Sequence, residues 1–200
     1  MNPEKIRVTS QGQGWAEATE HTEALGIASG LDKKETLRLR LLAEELIGLM
    51  RGITGDMEAD YEIGQKEKNF QLRLTSDVKL TREMHKELLT VATSGKNAAA
   101  QGFMGKLREL IAVTLLPTSE SLDIMAGLSL GLMTMGSPTG AAAGADSYVW
   151  SLNDYREKAE SKDARQELEE LQKSIVASIA DEVRVSVKGS HVEITIFKAF

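Results

Sequence analysis

Residues 37–53 read LRLRLLAEELIGLMRGI, and their spacing is helical. Leu39, Leu42, Leu46, Leu49, Met50 and Ile53 recur three and four residues apart, so a helix gathers them into one apolar stripe. Just upstream, Asp32-Lys33-Lys34-Glu35 supplies a start signal. An N-cap aspartate accepts from an amide in the first turn, and a glutamate three residues on accepts from the cap's own amide. Thr54-Gly55-Asp56 ends the helix. A helix with one apolar side needs a second layer to bury it.

Outward from that helix the chain offers such a layer. Ala59–Ile63 and Phe70–Thr75 alternate apolar and polar residues on either side of the polar turn Gly64–Asn69, as a hairpin with one buried face does. The last twenty residues, DEVRVSVKGSHVEITIFKAF, alternate in the same way: Val183, Val185 and Val187, then Val192, Ile194 and Ile196. Gly189-Ser190 between them suits a type II′ turn. Toward the N-terminus, Ile6-Arg7-Val8 reads as a short strand and Trp15–Ser29 as a helix ended by Gly30. Thr81–Thr93, Phe103–Leu116 and Ser151–Ile179 read as further helices. The expected fold is an α/β (α+β) two-layer sandwich, a mixed and mostly antiparallel sheet with helices packed on one face.

Bulk properties narrow the function classes. Two hundred residues are enough for one domain with a proper core. A net charge of -6 and the lack of any lysine/arginine run argue against a sequence-independent grip on nucleic acid and against an anionic membrane as partner. The absence of cysteine excludes disulfides, thiolate metal sites and cysteine nucleophiles. The polar start, Met1-Asn2-Pro3-Glu4-Lys5, is unlike a signal peptide, so the expected location is cytoplasmic. His21, His85 and His191 show no metal-ligand spacing and read as ordinary surface or strand residues.

The order of helices and hairpins resembles the ATP-binding domain of the GHKL family, shared by histidine kinases and anti-sigma-factor serine kinases. Residues 37–53 are similar to that family's N-box helix, and the final hairpin resembles the closing strands of the anti-sigma kinases. The likeness covers nearly the whole chain except a Gly/Met-rich insertion at about 117–150. It implies that Glu45 is the general base acting on the attacking water or hydroxyl. It implies that Asp77 reads the adenine amino group, and that Gly102 and Gly105, ahead of a helix, approach the phosphates. Two positions depart from the pattern. Leu49 stands where the family has its magnesium-binding asparagine, and leucine offers a hard cation no oxygen. Val78-Lys79-Leu80 replaces the glycines that should follow the aspartate.

Each of these residues also has a plain structural reading. Glu45 is a solvated residue beside the stripe, Asp77 a turn-former or cap, and Gly102 and Gly105 loop glycines. Three functions follow. The first is a degenerate GHKL-like regulator that binds ATP or ADP, with no metal site, and does not turn nucleotide over efficiently. The second is a non-enzymatic interaction module that holds a protein partner through residues 124–155, with a homodimer open. The third is an active serine kinase of anti-sigma type. Ile124–Ala145 is uncharged and rich in Gly, Met, Ala and Ser/Thr, but Pro138 interrupts it, which argues against a membrane span.

Overall fold

A computed structural model describes residues 4–51, 58–77, 147–158 and 174–200. In chain order the elements are β1 (Lys5–Thr9), α1 (Trp15–Ala28), α2 (Lys33–Arg51), β2 (Glu58–Lys66), β3 (Asn69–Asp77), β4 (Ser147–Ser151), α3 (Leu152–Lys158), α4 (Ile175–Ile179), β5 (Glu182–Lys188) and β6 (His191–Ala199). The strands form one sheet in the order β1-β2-β3-β6-β5-β4. Every pairing among them is antiparallel, with no parallel pair among the described residues. The two hairpins read from the sequence meet at the centre, where Leu72 stands opposite Ile196 and Leu74 opposite Ile194.

Alternation decides which side of each strand is buried. Val8, Tyr61, Leu72, Leu74, Val185, Ile194 and Ile196 turn to one face, where they join Leu39, Leu42, Ala43, Leu46 and Ile47 of α2 in a single core. α2 packs across the central strands β3 and β6, and α1 lies against α2 and β1. The two-layer α+β sandwich is the observed architecture. The capping box is formed as expected: the Glu35 amide donates to Asp32 Oδ1 at 2.8 Å, and the Asp32 amide donates to Glu35 Oε2 at 2.8 Å. Arg40 then ties the helices together through Glu23 of α1 and Glu44 of α2.

Gly14 shows why the β1–α1 connection is narrow. It adopts φ 76, and a Cβ there would stand 2.0 Å from the Arg7 carbonyl oxygen, so only glycine lets the chain turn back so closely. At the far end, Gly189 takes φ 57, the positive value a type II′ turn requires at its first central residue.

Three local expectations need correction. The first hairpin's turn is only Glu67-Lys68, because cross-strand pairing continues to Lys66 opposite Asn69. Ser147–Ser151, assigned in part to the insertion, is an edge strand. Its uncharged Tyr-Val-Trp centre suits a strand, and the paired register lets Trp150 be buried opposite Val185. A continuous helix from Ser151 to Ile179 is also not formed. Ser151 ends β4, and Ser174 is extended at φ -72 and ψ 137, which starts α4 as a separate element.

The helices expected at 81–93 and 103–116 and the uncharged stretch 124–145 lie outside the described residues. Among the described residues no helix is long and apolar enough to cross a membrane.

Candidate functional site

The second face of the sheet carries the residues that alternate with the core. Lys5 and Arg7 on β1, Asp60 and Glu62 on β2, Arg73 on β3, and Glu193 on β6 form a lattice of opposite charges. Lys5 Nζ stands 3.1 Å from Glu62 Oε1, and Arg7 Nη2 stands 3.1 Å from Asp60 Oδ1. Arg73 lies between Glu62 at 4.0 Å and Glu193 at 3.7 Å. Opposite charges placed directly across antiparallel strands attract, so the lattice follows from register.

At one end of this face the strands border a cleft of about 310 Å³, lined by residues that include Lys5, Arg7, Glu58, Asp60, Asp77 and His191. Asp77 is the last residue of β3 and stands directly opposite His191, the first of β6. His191 Nδ1 lies 3.1 Å from Asp77 Oδ1, and both side chains are largely exposed. Ser76 Oγ donates to the Glu58 carbonyl at 2.7 Å and holds the β2 and β3 ends together. The cleft is polar and mixed in charge. It can receive a small ligand with both donors and acceptors, and its size sits at the lower end of small-molecule pockets.

The residues singled out in the sequence are distributed as follows. Asp77 lines the cleft. Glu45 lies on α2, on the other side of the sheet, and is half-buried. No residue of α2 lines the cleft, so the structure does not bring Glu45 and Asp77 together. Leu49 lies in the last turns of α2, and its side chain falls outside what the structure describes. Gly102 and Gly105 lie outside the described residues. No group of three or more His, Cys, Asp or Glu side chains that could hold a metal ion occurs among the described residues.

Two residues escaped the sequence reading. His191 was an ordinary strand residue there. Its pairing with Asp77 became legible only once β3 was known to run beside β6, since the register that sets Asn69 opposite Ala199 also sets Asp77 opposite His191. Glu182 carried no signal at all. Its carboxylate is buried and accepts from the amides of Leu152 and Val183, each at 2.9 Å, and from the Ser151 hydroxyl at 3.1 Å. Three donors that would otherwise be short of partners therefore converge on one side chain, which fixes the β4–α3 corner onto β5.

Comparison of the chain with protein-family models, with curated proteins and with solved structures finds no match. The functional reading therefore rests on the residues and their geometry.

Proposed function

We propose that the chain is a regulatory protein on a degenerate GHKL-like scaffold and that it works by binding, not by phosphoryl transfer. Support for the scaffold comes from the element order and from the meeting of the two hairpins beneath an amphipathic α2. One observation carries the non-catalytic half: Asp77 faces the open side of the sheet and engages His191, while Glu45 belongs to the helix layer. Phosphoryl transfer needs base, metal oxygen and nucleotide held together in reacting geometry. Leu49 adds no oxygen for the metal.

The test is incubation of the whole chain with ATP and magnesium, with release of phosphate and transfer of labelled phosphoryl both followed. The expected result is no signal above a protein-free control. Magnesium-dependent turnover that disappears in Glu45→Gln would overturn the proposal and restore the active serine kinase.

A second reading is that the protein holds ATP or ADP without consuming it. The observation in its favour is the exposed Asp77 carboxylate in a cleft that also contains Lys5 and Arg7. A carboxylate accepts from the adenine amino group, and phosphate would take Lys5 and Arg7 over from the carboxylates of Glu62, Glu58 and Asp60 that hold them. Calorimetry with ATP and ADP, with and without magnesium, decides it. Micromolar binding lost in Asp77→Ala upholds this reading. No binding by the folded wild type removes it and leaves a protein partner, engaged through residues 124–155, as the object of the search.

A further inference from the structure

The two edges of the sheet are unlike each other. β1, at one edge, is Lys-Ile-Arg-Val-Thr, and its Lys5 and Arg7 are engaged by carboxylates of β2. Charged side chains on a terminal strand are a common defence against pairing with another chain. β4, at the other edge, is Ser147-Tyr148-Val149-Trp150-Ser151, with no charge, no proline and no glycine. It pairs over its full length with β5 and is the outermost described strand on that side. Val149, at its centre, is 38% exposed, one of the few large apolar side chains left so open among the described residues.

The sequence of β4 is also nearly symmetric about Val149. An antiparallel copy related by a two-fold axis at that residue sets Val149 opposite Val149, Ser147 opposite Ser151, and Tyr148 opposite Trp150. Like residue types thus stand at facing positions of the two strands, and the exposed Val149–Val149 pair is the β-branched cross-strand contact that the second copy adds. The outward backbone groups of a terminal strand are self-complementary in this arrangement, because an antiparallel two-fold matches each donor with an acceptor. A two-fold axis normal to the sheet keeps both helix layers on the same side. No like charges are brought into opposition within the paired strands, as they would be on the Lys5/Arg7 edge.

We propose that β4 is a self-association edge, through which two copies of the chain join β4 to β4 in one twelve-stranded antiparallel sheet centred on Val149. The partner is a second copy of this chain, and the contact is independent of any nucleotide.

The lack of native cysteine makes a sharp test available. In Val149→Cys, the proposed axis sets the two new thiols opposite each other, with Cα atoms about 4.5–5.5 Å apart, within the span a disulfide bridges. Mild oxidation is expected to give a covalent dimer of twice the 21.8 kDa chain mass, at least tenfold faster than in Arg7→Cys, where the thiol lies on the opposite edge. Equal rates for the two variants, or no dimer from Val149→Cys, would overturn the proposal. Sedimentation equilibrium on the unmodified chain gives a second reading. A reversible dimer that Val149→Lys weakens at least tenfold, with its circular dichroism unchanged, is expected. Should Val149→Lys fail to fold, hydrogen exchange on the wild type decides. Protection of residues 147–151 that rises with protein concentration supports the pairing, and concentration-independent protection of those amides sinks it.

Discussion

The two faces of this sheet are made by the same strands and behave as different materials. On the helix side, most alternate residues are Val, Ile, Leu, Tyr or Phe, joined by Ala59, Ser76 and Trp150, and nearly all are closed to water. On the other side, alternate positions carry Lys, Arg, Asp and Glu in a lattice of ion pairs that is open at Arg7 and Glu58 and closed to water only at Glu62. The first face holds the fold together, because burial of apolar surface is the dominant favourable term. The second is worth little to stability, because exposed ion pairs are screened by water and salt. What it offers is chemistry. The cleft and the Asp77–His191 pair both lie there.

If that contrast is right, substitutions on the two faces should differ sharply in cost. The largest effect belongs to the helix side. Leu46→Ala removes a fully buried side chain from the middle of the α2 stripe and should lower stability by about 2–5 kcal/mol, read from urea denaturation. A loss below about 1 kcal/mol would mean that α2 is not the lid of the core. The next effect tests an exception to the contrast. Glu182 alternates with the core residues of β5 yet is buried, and Glu182→Ala strands the amides of Leu152 and Val183. A loss of about 2–3 kcal/mol is expected, with Glu182→Gln milder because one acceptor oxygen remains.

A smaller effect, with a pH signature, belongs to Tyr61. Its hydroxyl lies 2.6 Å from Thr22 Oγ1 inside the core, and burial pushes the phenol well above its ordinary value. Tyr61→Phe should cost about 1 kcal/mol at neutral pH. Because the folded value is raised, the neutral phenol's contribution is whole below the unfolded value of about 10 and is lost as pH climbs from there toward the folded value. Urea midpoints should therefore fall above about pH 10 in the wild type, and fall less in Tyr61→Phe. Parallel curves would place the alkaline loss elsewhere. The smallest effect is on the open face. Arg7→Ala breaks ion pairs to Glu58 and Asp60, yet should cost less than about 1 kcal/mol and still less in 1 M salt. A cost rivalling that of Leu46→Ala would abolish the distinction between the faces.

Much of this was legible in the residues. The α2 stripe, the capping box at Asp32 and Glu35, and both hairpins follow from periodicities of 3.6 and 2 that depend on nearest neighbours along the chain. Less legible was β4, because five uncharged residues after a long Gly/Ala-rich stretch carry too short a pattern to separate a strand from a helix start. Trp150 declares itself only when Val185 is set beside it. The candidate site was half legible. Asp77 was found as a carboxylate at a strand end, but the face it turns to depends on whether the strand alternation holds through its last residue. It does, and that places Asp77 with His191 and apart from Glu45.

Local sequence by itself thus determined β1, α1, α2, the two hairpins with their buried sides, and the cap at Asp32 and Glu35, because these are set by interactions within a few residues. Tertiary structure alone decided which strands are neighbours, that Glu182 is a buried anchor, and that Asp77 and Glu45 stand on opposite sides of the sheet. Those facts depend on residues far apart in the chain, such as Asp77 and His191, brought within 3.1 Å by the register of strands that the sequence does not encode locally.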